Sequence, residues 1–163
     1  MAFIAFISIV ILQRLFELFV ATRNEQWLRR RGAVEYGQSH YPAIIVLHSV
    51  FIVSLIVEFE LKNSTPMNYL FLAIFFALII TKALVISSLG KYWNTKIFRV
   101  PGSVPIRKGL YRFVKHPNYI IVVLEMVIIP LVFNLYFTAI VFSLLNGLML
   151  RVRIKEENRV WMM

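Results

Sequence analysis

Five apolar stretches divide this sequence and limit what it can fold into. Three of them are long: Ala2 to about Thr22, Tyr41 to about Val57, and Met67 to Leu89. Two shorter ones follow at 119–133 and 135–150. A helix of about 20 apolar residues crosses the hydrocarbon core of a bilayer. The pattern therefore predicts an all-α, polytopic membrane protein with about five transmembrane helices in a single domain, 1–163.

Composition favours the same class. Hydrophobic residues make up 60% of the 163 residues, more than the roughly one half that is usual in soluble domains. The first stretch lacks a small-residue cleavage site, so we expect a retained span. At ~1.5 Å per residue the last two stretches reach only ~24 Å, which favours a tilted or re-entrant hairpin. With no cysteine and only three scattered histidines, we predict no disulfide and no metal site.

Basic residues cluster in three polar segments. Residues 23–40 hold four Lys or Arg, residues 91–115 hold seven, and 151–161 hold four, whereas Lys62 is the one basic residue in the remaining turns. The positive-inside rule then places all three segments in the cytoplasm and the N-terminus outside. Topology accounts for the net charge of +10, so a nucleic-acid partner is not expected.

Ionisable residues inside the apolar stretches share one depth. Arg14, Glu17, His48, Lys82 and Glu125 all fall roughly 8 to 12 Å below the predicted cytoplasmic surface. Such residues are costly in a membrane and suggest a functional, cytosol-facing cavity. The alternative is structural, with Arg14 pairing with Glu17 and Lys82 with Glu125 to hold the bundle together.

The segment Arg107 to Tyr119 is the strongest candidate for chemistry. It is basic and turn-forming, and its His116-Pro117 step leads into the fourth apolar stretch. A hairpin after it would return the tail 151–161 to the same side, where the adjacent Glu156 and Glu157 must face different partners. Arg, Lys and His suit a carboxylate or phosphate, although a solvated amphipathic tail is the plainer interpretation. No nucleotide-binding or serine-hydrolase motif is present, so these residues alone do not identify a reaction.

Two motifs together resemble the isoprenylcysteine carboxyl methyltransferase family. They are Gly109, Tyr111 and Lys115-His116-Pro117-Asn118-Tyr119, and then Arg153-Ile154 with Glu156-Glu157. The similarity is strongest from Ser87 to Trp161, which would be the cofactor-binding half. Arg23-Asn24, Arg31-Gly32 and His40-Tyr41-Pro42 resemble the short bacterial branch, some of whose members methylate alkylpyrones.

The resemblance implies an S-adenosylmethionine-dependent O-methyltransferase. The methyl group would go to a carboxylate or acidic hydroxyl on a lipophilic acceptor, such as a prenylated molecule or an alkylpyrone, that enters laterally from the bilayer. Membrane lipids would be its other partners. It implies cofactor contacts from Lys115, His116, Pro117, Tyr119 and Glu156. Arg153 and Glu157 would organise the acceptor oxygen as the catalytic pair. From their depth, we further expect Glu125, with Lys82 or Arg14, to border the acceptor cavity.

Two departures from the family pattern affect these expectations. Many relatives have Gly soon after the tyrosine of the first motif, where this chain has Ile120-Ile121, and many continue past the Glu pair into a lid. A sequence that stops at Met163 predicts a smaller lid, a shortened chain or a partner that closes the site. The rival functions are a membrane reductase of the sterol-reductase type that uses NADPH, and a non-enzymatic scaffold or lipid carrier. The sequence determines neither the identity of the methyl acceptor nor the oligomeric state.

Overall fold

The computed structural model describes residues 1–63 and 65–162 as a bundle of five α-helices. These are α1 (Ala2–Arg30), α2 (Tyr41–Leu61), α3 (Tyr69–Leu89), α4 (Pro117–Leu131) and α5 (Tyr136–Met162). All except α4 are long and apolar enough to cross a membrane. The predicted all-α membrane fold is therefore confirmed, and the described residues also form two short strands, β1 (Val34–Tyr36) and β2 (Ile97–Arg99).

Two helices are longer than the apolar stretches that predicted them. Helix α1 continues through the basic residues to Arg30, and α5 runs without a break from the apolar region into the charged tail. At ~1.5 Å per residue they measure about 43 Å and 40 Å, more than the ~30 Å hydrocarbon core. The change from apolar to polar residues marks where each helix leaves the lipid. The helix itself continues beyond that point, and α1 ends only at Arg30, just before the helix breaker Gly32.

Helix α4 is short, as predicted, at 15 residues or about 22 Å. Pro117 occupies its first turn, where the missing N–H costs no hydrogen bond, and Pro130 lies in its last turn. The turn into α5 uses Asn134 with a φ of +56°. The expected hairpin therefore combines one short helix and one long helix, and brings α5 back along α4.

The connections form two faces of the bundle. We call the end where α1, α3 and α5 finish and α2 and α4 begin the basic face. There β1 pairs with β2 in antiparallel register, with Glu35 opposite Phe98, and so ties the α1–α2 connection to the α3–α4 connection. This strand pair lies within the polar, basic segments 23–40 and 91–115. Its residues are separated by more than 60 positions, so no local pattern marks the pairing.

The opposite face is closed by aromatic packing. Phe3 stacks on Phe59 at 3.8 Å between ring centroids and meets Phe133 edge-on at 5.2 Å. Glu58 caps the start of α5 by accepting hydrogen bonds from the backbone N–H groups of Phe137 (3.2 Å) and Thr138 (2.8 Å). Because this half of the bundle is filled, the large cavities lie toward the basic face.

Candidate functional site

A large cavity opens at the basic face, with a volume of about 1390 Å³. Its walls come from the segment between α3 and α4, the first turn of α4 and the end of α5. Seven lining side chains are Lys or Arg, while Glu157 is the one acidic side chain among the described residues that line it. Aromatic side chains complete the lining, including Trp27, Tyr92, Trp93, Tyr111 and Trp161.

Tyr119 links the two sequence motifs at the inner wall of this cavity. Its hydroxyl donates a hydrogen bond to Glu157 Oε2 and accepts one from Arg153 Nε at 2.8 Å. The His116 ring stacks on the Tyr119 ring at 5.2 Å between centroids, and His116 Nδ1 lies 3.6 Å from the same Glu157 oxygen. Arg153 also donates from Nη2 to the carbonyl of Thr95. The cluster is thus a connected network across α4, α5 and the loop.

Helical spacing explains this assembly. Arg153 and Glu157 are four residues apart on α5 and share one face, which packs on the first turn of α4. His116 precedes Pro117, a position restricted to non-helical backbone, so the imidazole stands at the helix entrance. The predicted juxtaposition of the His-Pro segment and the tail is present in the structure.

The other residues assigned to the cofactor occupy different positions. Lys115 lines the large cavity and donates to Asn158 Oδ1 at 2.6 Å. Pro117 is buried and starts α4, outside the cavity lining. Glu156 is half-buried and lies outside the lining of both cavities. Of the adjacent carboxylates, it is Glu157, the one expected at the acceptor oxygen, that faces the large cavity.

Tyr111 carries a shifted pKa in this cavity. Burial raises the pKa of its phenol above the ordinary value, and the nearby negative charge of Glu157 raises it further. Tyr111 therefore stays a neutral hydrogen-bond donor at any physiological pH.

A second cavity of about 250 Å³ lies between α1, α2, α4 and α5. Its lining is mostly apolar, and three of the lining residues, Leu15, Leu18 and Ile45, are also exposed on the outer surface of the bundle. The cavity therefore opens sideways, between α1 and α2, toward the space that lipid occupies. We call it the lateral cavity. Four residues line both cavities and form the wall between them: Trp93, Asn118, Tyr119 and Arg153.

Four of the five ionisable residues predicted at one depth, all except His48, form a single buried network. Arg14 donates to Glu125 at 2.9 Å and to Glu17 at 3.1 Å. Lys82 donates to Glu125 at 2.6 Å and to Glu17 at 2.8 Å. Gln13 joins both carboxylates through Nε2. The expected pairs exist and are cross-linked, so two positive and two negative charges balance among α1, α3 and α4.

This network meets the lateral cavity on one side only. Arg14 and Glu17 line that cavity, together with His48, whose Nδ1 lies 2.9 Å from the carbonyl of Ile44. Lys82 and Glu125 are buried behind them and belong to neither lining. Their expected contact with an acceptor would therefore act through Arg14 and Glu17 rather than directly.

Several buried polar atoms around the cavities have no hydrogen-bond partner within the described residues. They include Trp93 Nε1, His116 Nε2 and Asn118 Oδ1 at the basic face, and Asn146 Nδ2 in the lateral cavity. Buried polar groups are nearly always satisfied, so these unpaired atoms of lining residues are candidate partners for a ligand or an ordered water. They supply donors and an acceptor on both sides of the shared wall.

Sequence reasoning missed Trp93 and Asn24, which belong together. Asn24 is buried near the end of α1 and donates to the carbonyls of Gly90 (3.2 Å) and Trp93 (2.7 Å). It thereby holds the chain segment that carries the Trp93 indole in the shared wall. Arg23-Asn24 was one of the residue pairs that resemble the bacterial branch. Only the folded structure shows what Asn24 contacts, namely the segment that carries Trp93.

Comparison with known proteins agrees with this geometry. A family model described as the isoprenylcysteine carboxyl methyltransferase family matches residues 69–162, which span α3 to α5 and the loop between α3 and α4. The uncharacterized protein YpbQ of Bacillus subtilis (strain 168) is 44% identical over 155 residues, covering 94% of this chain and 92% of that protein.

A second similar protein is from Haemophilus influenzae (strain Rd) and is described as uncharacterized. It is 30% identical over 147 residues, covering 88% of this chain and 86% of its own length. No solved structure matches this chain significantly. Because both relatives cover most of the chain, the similarity extends into α1 and α2, which carry half of the lateral cavity.

Proposed function

This chain belongs to the isoprenylcysteine carboxyl methyltransferase family, and from that premise we propose that it transfers a methyl group from S-adenosylmethionine to an oxygen atom of a lipophilic acceptor. The observation that carries the proposal is the pair of cavities with one shared wall. One is lined by cationic and aromatic side chains and opens at the basic face, and the other is mostly apolar and opens toward lipid. A water-soluble methyl donor and a membrane-borne acceptor would meet at Trp93, Asn118, Tyr119 and Arg153.

The large cavity suits S-adenosylmethionine by its chemistry. The basic side chains can bind the cofactor's carboxylate, and Glu157 can accept hydrogen bonds from its amino group or ribose hydroxyls. The aromatic faces attract cations, here the sulfonium. The unpaired His116 Nε2 and Asn118 Oδ1 supply further polar contacts. When bound, S-adenosylmethionine supplies an electrophilic methyl group on a positively charged sulfur.

The lateral cavity suits a chain-like acceptor with a polar end. Its aliphatic lining buries hydrocarbon, while Arg153 stands at the end next to the large cavity. Tyr119 and the Thr95 carbonyl orient the Arg153 guanidinium, which can hold an acceptor carboxylate or acidic hydroxyl. Such an oxygen is already anionic or readily becomes so, and therefore needs no dedicated base. Orientation and exclusion of water would account for most of the acceleration.

Three assignments change in this proposal. Glu156, expected at the cofactor, takes no part in the cofactor site, because it lies outside the lining of both cavities. Glu157, expected at the acceptor oxygen, joins His116 on the cofactor side, because its carboxylate contacts Tyr119 and lines the large cavity. Lys82 and Glu125 become positioning residues for Arg14 and Glu17.

We also propose that the basic face is cytoplasmic. The cofactor is made in the cytoplasm, and the excess of Lys and Arg predicts that this face lies on the cytoplasmic side.

Cofactor binding is the direct test. The purified chain is reconstituted in lipid nanodiscs and titrated by calorimetry with S-adenosylhomocysteine and, in parallel, with NADPH. The proposal expects saturable binding of S-adenosylhomocysteine, weakened in His116→Ala and unchanged in the matched control Lys155→Ala, whose exposed side chain lies outside both cavities. Saturable binding of NADPH alone would favour a reductase, and binding of neither would favour a lipid carrier.

The acceptor is then sought by chemistry. A lipid extract incubated with the protein and a labelled methyl donor is analysed by mass spectrometry. We expect a labelled methyl ester or methyl ether on a molecule with a long hydrocarbon chain, and its loss in Arg153→Lys, which keeps the charge but removes the fork of donors.

A further inference from the structure

The loop between α3 and α4 exposes apolar side chains that the bundle does not cover. We call residues Val104–Lys115 the basic loop. Val104 and Phe113 are each 79% exposed, whereas Leu110 and Tyr111 of the same loop pack against the hydrophobic core. We call Leu110 and Tyr111 the inward pair. We call Val104 and Phe113, which are highly exposed and also line the large cavity, the outward pair.

Charge surrounds the outward pair. The basic loop holds four exposed cations and no Asp or Glu: Arg107, Lys108, Arg112 and Lys115. None of the four forms an ion pair with an acidic residue in the described part of the chain, and the Arg112 guanidinium lies 5.9 Å from the centroid of the Phe113 ring. Topology rules explain positive charge here, but they do not explain an exposed phenylalanine beside it.

The position of the basic loop relative to the bilayer follows from its neighbours. It lies between the end of α3 at Leu89 and the start of α4 at Pro117. Gly109 sits directly against Ser88, where a Cβ on the glycine would come within 2.1 Å of Ser88 Oγ. Helix α3 is apolar and exposes Leu84 one turn before Ser88. The loop is therefore seated on the end of a lipid-facing helix, at the depth of the lipid headgroups.

From these observations we propose that the basic loop docks on anionic phospholipid headgroups, with Phe113 and Val104 inserted into the interface. Cationic side chains that flank exposed aromatic and aliphatic residues are the combination that binds anionic membrane surfaces. The same segment lines the large cavity at the basic face, so lipid contact holds one wall of that cavity in place. The docking is tested separately from the proposed methyl transfer, because the measurement reports contact with lipid and not activity.

The natural absence of cysteine makes a site-specific probe possible. Phe113→Cys and, separately, Arg159→Cys near the exposed end of α5 are labelled with an environment-sensitive fluorophore. Both are measured in nanodiscs of phosphatidylcholine and in discs where a third of the lipid is phosphatidylglycerol, with doxyl-labelled lipid as quencher. We expect a blue shift and strong quenching at position 113 in the anionic discs, and water-like emission at position 159 in both.

A charge variant and an unlabelled measurement complete the test. Arg107→Gln/Lys108→Gln/Arg112→Gln should reduce quenching at position 113 in anionic discs to the level seen in neutral discs, as should high salt. Because the label replaces Phe113, hydrogen exchange of the unmodified chain provides a second measurement, with residues 104–115 more protected in anionic discs. Emission at position 113 as water-like as at position 159, or a preference for anionic discs that survives the triple substitution, would overturn the proposal.

Discussion

At the scale of single residues, Tyr119 connects the parts of the site. Its hydroxyl donates to Glu157 and accepts from Arg153, so one side chain couples the large cavity to the lateral cavity. Both motif residues on α5 depend on this phenol for orientation. Changes in the network should therefore affect both cavities.

Glu157 and its neighbour Glu156 provide a matched pair of variants. Glu157→Gln removes the charge that contacts Tyr119 and lies near His116, and a charged hydrogen bond contributes about 1.5–3 kcal/mol, so we expect S-adenosylhomocysteine affinity to fall about tenfold or more. Glu156→Gln should leave the affinity nearly unchanged. Calorimetry measures the affinity of both variants for S-adenosylhomocysteine. A larger loss of affinity in Glu156→Gln than in Glu157→Gln would restore the cofactor role first expected for Glu156.

The buried network makes a prediction about stability. Glu125→Gln leaves Arg14 and Lys82 with one carboxylate between them in a site where Glu125 is 0% exposed, and breaking a buried pair costs about 3–5 kcal/mol. We expect a large drop in the thermal unfolding midpoint in detergent. Lys82→Met/Glu125→Gln restores charge balance and should be more stable than Glu125→Gln alone. If the double variant is the less stable of the two, the charges do not act as one network.

At the scale of elements, the seat of the basic loop on α3 depends on one glycine. Gly109 has a φ of +54°, a region that L side chains rarely adopt, and its missing Cβ leaves room for Ser88 Oγ, which donates to the Leu84 carbonyl at 2.7 Å. The contact joins the end of one helix to the turn that leads into another. Small changes here should move the loop and, with it, the wall that the loop contributes to the large cavity.

Gly109→Ala should therefore be destabilising for two separable reasons, the backbone conformation and the clash with Ser88. We expect a cost of about 1–3 kcal/mol, typical of strained backbone positions. Adding Ser88→Gly removes the clash and should recover part of the loss, while the strain at φ remains. Thermal unfolding of the single and double variants measures the split; complete recovery would mean that backbone strain contributes nothing.

At the scale of the whole molecule, the two faces of the bundle differ in charge and in packing. The aromatic cluster around Phe3 and Phe133 closes one face, and both cavities lie toward the other. A cytoplasmic cofactor requires that the open face be cytoplasmic. This orientation can be tested without any assay of activity.

Single cysteines in the naturally cysteine-free chain report the orientation. Glu60→Cys lies on the face opposite the basic face and Arg159→Cys lies beyond the basic face, and both native side chains are exposed. In intact cells we expect a membrane-impermeant maleimide to label position 60, and position 159 only after permeabilisation. The reverse pattern would place the cofactor cavity outside and contradict the proposed function.

The sequence alone determined the class of the protein, the number of helices and the two motif segments, because hydrophobic length and short-range spacing are local properties of a chain. It also indicated the depth shared by Arg14, Glu17, Lys82 and Glu125. Only the tertiary structure decided how these four pair, that Glu157 rather than Glu156 faces the cavity, and that Asn24 holds the Trp93 segment. Those contacts join residues up to 111 positions apart, and their geometry depends on how helices rotate and pack, which no local pattern encodes.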